Sequence, residues 1–206
     1  MKHIAMLLSA LVLLAAVSAC TPEEDGVSDI VQQDAASSAE SRRDIPEGAI
    51  ADASGDFVYE GRLMQVGDDE NGYIQVPLGF VAFQEEDVEG LLQYSDATGQ
   101  NVVTLDHNDG IDYTSAANSM MNYMQQNEEL QDVQGALVTC GGYNAYQIYG
   151  RYADGFIIVV WLIEDPAHPE NSYYLAIEFD NDHQYLVACS STFETVDDHS
   201  GAGQTS

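Results

Sequence analysis

From Phe57 onward, apolar and polar residues alternate in short runs separated by turn-forming clusters, the period-2 pattern of half-buried strands. Phe57-Val58-Tyr59 and Leu63-Met64-Gln65-Val66 lead into Gly67-Asp68-Asp69-Glu70-Asn71-Gly72, a turn carrying the Asn-Gly hairpin signal. Tyr73-Ile74-Gln75-Val76 then predicts a returning strand, stopped by Pro77 and followed by Leu78-Gly79-Phe80. Leu91–Tyr94 and Asn101–Leu105 predict two more short strands. Asp132–Cys140, Tyr143–Tyr152, Gly155–Ile163 and Tyr173–Phe179 follow at hairpin-like intervals without a helix between them, which predicts antiparallel pairing. Phe156–Ile163 is apolar at every position, so it belongs inside a sheet covered on both faces.

Two segments carry a different period. Ala117, Met120 or Met121, and Met124 recur at helical spacing within Ser115–Leu130, with Asp112, Thr114 or Ser115 placed to cap the start. Methionine at that spacing is core filler. Between Asn181 and Val196, the residues Leu186, Cys189, Phe193 and Val196 fall on one helical stripe. The expected fold class is therefore α+β: an antiparallel β-sheet flanked by helices on both faces, an α/β/α sandwich.

The two ends read otherwise. Residues 21–55 are mostly Ser, Ala, Asp, Glu, Gln and Gly, too polar to bury a core, and the tail from residue 198 has the same character. A flexible chain of about 35 residues spans ~30 Å. Ahead of this tether, Met1-Lys2-His3 precedes an apolar run, Ile4–Val17, broken only by Ser9. That run is too short for a membrane span and has the architecture of a signal peptide. It closes in Val17-Ser18-Ala19-Cys20, which resembles the lipobox of bacterial lipoproteins. The resemblance implies cleavage before Cys20, diacylation of its sulfur and attachment to the extracytoplasmic face of the cell membrane. At about 0.8 kcal/mol per buried CH2, two acyl chains make a lasting anchor where one does not. The expected organisation is 1–19 signal peptide, 20–55 lipidated cysteine and tether, 56–197 folded domain and 198–206 tail.

Charge narrows the partners. The chain holds 35 acidic residues against 5 basic ones. Loss of residues 1–19 removes Lys2, leaving Arg42, Arg43, Arg62 and Arg151, so 4 minus 35 gives −31. Nucleic acid and anionic head groups are poor partners for such a surface. It is a repulsive, solvated exterior of the kind that keeps a protein monomeric. Besides Cys20 there are Cys140 and Cys189, a pair that an oxidising compartment can bridge and that equally suits a buried core as free thiols.

Candidate chemistry is sparse. Asp106-His107-Asn108-Asp109-Gly110-Ile111-Asp112 resembles a calcium loop at first sight, but counting from Asp106 glycine falls at position 5 instead of 6, and position 12 is Ala117 instead of Glu. A strand-to-helix connection with an Asp cap accounts for it better. His107, His168, His183 and His199 are scattered, His168 between Pro166 and Pro169 reading as a hairpin tip. No serine-hydrolase elbow, zinc-protease helix motif or phosphate-binding glycine loop is present. Tyr146 and Tyr152 point opposite to Tyr149 in a strand, which favours packing over one aromatic patch.

Gly72-Tyr73-Ile74-Gln75-Val76-Pro77-Leu78-Gly79-Phe80, Gly142-Tyr143-Asn144-Ala145-Tyr146 and Ser191-Thr192-Phe193 together resemble the Mog1/PsbP-like family, with Phe80 where that family more often has Trp. The resemblance spans about residues 57–196 and implies a fold whose members do unrelated jobs as binding or accessory modules. The expectation is a non-enzymatic lipoprotein with no cofactor and no resident metal, which serves an envelope protein partner. The alternative is a calcium- or small-ligand-binding lipoprotein using the acidic loops.

Overall fold

The computed structural model describes residues 45–83 and 91–202. The expected signal peptide, Cys20 and the tether up to residue 44 lie outside the described residues, as do residues 203–206. The strands are β1 (Ile50–Ala51), β2 (Val58–Tyr59), β3 (Leu63–Asp68), β4 (Gly72–Pro77), β5 (Val81–Phe83), β6 (Leu92–Ser95), β7 (Val102–Asn108), β8 (Leu130–Cys140), β9 (Tyr143–Tyr152), β10 (Ile157–Glu164) and β11 (Ser172–Phe179). Helix α1 is Tyr113–Gln126, a 3-10 segment runs Asn181–Thr192, and a short helix α2 is Val196–Ala202. Seven strands form one antiparallel sheet in the order β5-β6-β7-β11-β10-β9-β8, while β3–β4 and β1–β2 are separate two-stranded ribbons.

Strand β10 divides the core. Ile157, Val159, Trp161 and Ile163 enter one apolar cluster, and Ile158, Val160 and Leu162 enter the other. A strand apolar on both faces thus sits between two covered layers, as its pattern predicts. On one side α1 supplies Ala116, Ala117, Met120 and Met124. It lies low because two strand positions beneath it are glycine. A Cβ on Gly135 would stand 2.3 Å from the Met121 methyl, and one on Gly150 would stand 2.9 Å from the Met124 methyl. Asp112 starts the helix by accepting the backbone N–H groups of Thr114 and Ser115, each at 3.0 Å.

The other face corrects the sandwich expectation. It is covered by the β3–β4 ribbon, β1–β2 and the 3-10 segment, so the molecule is chiefly a seven-stranded antiparallel sheet with few helices, not a sheet flanked by helices on both faces. The expected amphipathic helix fails for a physical reason: Leu186, Val187, Ala188, Cys189 and Ser190 are all buried in succession, so the middle of the segment is enclosed all round instead of on a stripe. Its close favours tight winding as well. Ser190, Ser191 and Thr192 hydroxyls donate to the carbonyls of Val187, Ala188 and Cys189, at 2.8, 2.8 and 2.7 Å. His183 leaves helical geometry at φ −109° and ψ 22°.

Two further elements lie towards the ends of the described residues. Ile50 pairs with Tyr59 and packs on the larger cluster, and Asp52 accepts the Phe57 N–H at 2.9 Å. At the other end α2 continues to Ala202. Ile50, between Ala49 and Ala51, is the one large apolar residue of positions 46–56, too weak a signal for a strand.

Candidate functional site

The acidic loop that most resembles a ligand site closes the gap between β7 and α1. Cross-strand pairs share a face, so Asp106 opposite Tyr174 lies on the α1 side and His107 opposite Tyr173 lies on the other. Burial pushes the Asp106 carboxyl up to about 6, with Glu70 adding repulsion. Asn108 donates to the Ser172 hydroxyl at 3.3 Å, and the Gly110 N–H donates to the Asn171 side chain at 2.8 Å. Asp112 caps α1, and hydrogen bonds from the Ser115 and Thr114 hydroxyls and backbone hold it down at about 2. The carboxylates of the loop therefore diverge, each occupied locally, and a strand-to-helix connection is what the segment builds.

A second grouping joins residues that lie far apart in the sequence. Asp165 follows β10, its side chain only 4% exposed, and it accepts the N–H groups of Ala167 and His168 at 2.9 and 3.1 Å. His107 Nε2 and His168 Nδ1 approach the same Asp165 oxygen at 3.6 and 3.4 Å, and His107 Nδ1 lies 3.2 Å from Asp109. The His107 ring leans on Tyr173 with centroids 4.8 Å apart. Burial, with Asp165 adding repulsion, pushes the Tyr173 hydroxyl up to about 12. Sequence reading finds His168 at its hairpin tip and misses this corner. The only signal for it is the β7–β11 register that brings position 107 alongside the β10–β11 turn.

Ser172 is fully buried and donates its hydroxyl to the Ile111 carbonyl at 2.8 Å, so it is a strut. Among the described residues no group of three or more His, Cys, Asp or Glu side chains is disposed to hold a metal ion. His183 lies 2.7 Å from Asp180, and His199, expected in the tail, stacks on Tyr73 with centroids 3.9 Å apart.

Cys140 and Cys189 are both free thiols and both buried. Cys140 donates its S–H to the Ser190 carbonyl at 3.2 Å, and burial pushes the Cys189 thiol up to about 12. Tyr146 and Tyr152 pack on the α1 side, Tyr143 and Tyr149 on the opposite side, so no continuous tyrosine patch forms. A cleft of about 450 Å³ opens between the β3–β4 turn and strands β5 and β6, lined by Asp68, Glu70, Phe83, Leu91 and Tyr94 among others. Asp68 there accepts the Asn71 N–H at 2.8 Å and the Glu70 N–H at 3.1 Å, holding the turn. Among the described residues no helix is long and apolar enough to cross a membrane.

No protein-family model and no curated protein matches this chain. Among solved structures it is similar to LpqN, described as involved in cell envelope biogenesis of Mycobacterium tuberculosis. The two are 14% identical, and the match covers 65% of this chain and 91% of that one at a TM-score of 0.42. A likeness at that score says nothing about what this chain does.

Proposed function

We propose that this chain is a membrane-anchored, extracytoplasmic lipoprotein that serves as a non-enzymatic binding or accessory module of the cell envelope. The observation that carries the reading is the junction Val17-Ser18-Ala19-Cys20 at the end of a short apolar run. Diacylated Cys20 holds the chain at the membrane, and the polar stretch after it lets the domain stand off the surface. The motifs that resemble those of the Mog1/PsbP-like family fall on β4 and just after it, at the start of β9 and at the close of the 3-10 segment, which supports a distant module of that kind.

A binding role suits side chains engaged in holding the fold. Asp112, Asp165 and Ser172 each have backbone partners, and the −31 charge of the lipidated form disfavours nucleic acid and anionic surfaces. Crosslinking in the native envelope tests the reading. A discrete heteromeric adduct is the expected result, and recovery of the monomer alone with several chemistries contradicts it.

A further inference from the structure

The seven-stranded sheet ends on two unlike edges. One edge is β5, described as far as Phe83. Strand β8 runs 11 residues, and among the described residues no strand pairs with its outer side. A bulge between Gln131 and Gln134, with Asp132 at φ 55°, interrupts its first part. Beyond it the register to β9 is unbroken, from Gln134 opposite Tyr149 to Cys140 opposite Tyr143. From Gln134 to Thr139 no described strand takes the outer N–H and C=O groups, a template for another strand, while Cys140 is buried against the 3-10 segment.

Protein edges are normally guarded by charge or proline. Gln134-Gly135-Ala136-Leu137-Val138-Thr139-Cys140 has neither, in a chain with 35 acidic residues. Leu137 is 68% exposed, against 58% for Val81 and 54% for Leu78. Gly135 and Ala136 beside it are exposed as well. At the entry end of the strand, Glu128 and Asp132 are exposed acids.

We propose that the outer edge of Gln134–Thr139 is a strand-docking site for an extended segment of an envelope protein, uncharged through its middle and basic at the end lying against Glu128 and Asp132. The inference deepens the binding-module reading and rests on it for where the partner is met. Main-chain hydrogen bonds supply the affinity and Leu137 a side-chain contact. Charge selects the occupant. A second copy brings another strongly negative surface to the same edge, whereas a basic segment is steered toward it.

Fluorescence anisotropy on the full chain in non-ionic detergent tests this, with a labelled peptide of alternating Val and Thr bearing two lysines at one terminus as the probe. Two controls accompany it: the same peptide with a central proline, and the same peptide with glutamates for lysines. The expected result is binding of the lysine peptide at least about tenfold tighter than either control, and about tenfold weakening by Leu137→Lys with the melting temperature unchanged. No binding, equal binding of the proline peptide, or indifference to Leu137→Lys overturns the proposal. Sedimentation as a dimer that Leu137→Lys dissolves overturns it in favour of a second copy. Membrane retention is measured separately, so a failed edge and a failed anchor are told apart.

Discussion

Gly141 lies directly against the backbone of Phe193. A Cβ on Gly141 would stand 1.9 Å from the Phe193 carbonyl oxygen, and the Gly141 N–H already donates to the Ser190 carbonyl at 2.9 Å. The β8–β9 turn is thereby fastened to the close of the 3-10 segment, joining the sheet to the layer on its far face. Gly141 also holds φ +60°, where any side chain adds strain. Gly141→Ala should cost at least about 2 kcal/mol, read as a lower urea midpoint at unchanged slope. An unchanged midpoint would mean that the turn and the segment are not locked together.

Asp106 makes stability fall as pH rises. Its carboxyl is raised from 3.8 to about 6 in the fold, so between those values the native state holds a proton that the unfolded chain has released. The full cost is present above about 6, on the order of 3 kcal/mol. Asp106→Asn keeps an acceptor for the His107 N–H, so the variant should match the parent near pH 4 and exceed it near pH 8 in thermal melts. Equal melting temperatures at pH 8 would show that Asp106 carries no such burden.

Asp112 acts with the opposite sign. Its carboxyl is depressed from 3.8 to about 2, so its contribution is present above pH 4 and fades as pH falls through 2. Because the group is largely exposed, the cap itself sets the scale, and Asp112→Ala should cost about 1 kcal/mol near neutral pH by chemical denaturation. Millimolar calcium should leave the melting temperature of the parent unmoved. A calcium-dependent rise that Asp112→Ala abolishes would reverse the reading of this loop.

The two core thiols should be silent. In a Cys20→Ala chain, a thiol reagent should label neither Cys140 nor Cys189 in the native state and both after denaturation without reductant, since both are buried and free. Labelling that requires reductant would mean the pair is bridged.

Strand β10, apolar from Ile157 to Ile163, announced its two covers in its own pattern, whereas β8, the longest strand, neither alternates nor is wholly apolar. Helix α1 was readable from its 3.6-residue stripe; of the three candidate caps Asp112 serves, and Leu130, read with the helix, begins β8. The second layer was not readable, because a segment buried all round at Leu186–Ser190 leaves no polar face to set a period, and helical spacing there was coincidental. Ile50 was hidden as the one large apolar residue of positions 46–56. The Asp165 corner was hidden because His107 and His168 meet only through strand register. The edge of β8 needs both levels: its lack of charge is in the sequence, its outermost place only in the fold.

The most direct measurement is lipid labelling and membrane fractionation of the parent chain beside Cys20→Ala. The parent should incorporate labelled fatty acid and sediment with membranes, and the variant should lose the label and appear in the soluble fraction. A variant that stays with the membrane, or a parent that takes up no label, would contradict the anchored-lipoprotein reading at its root.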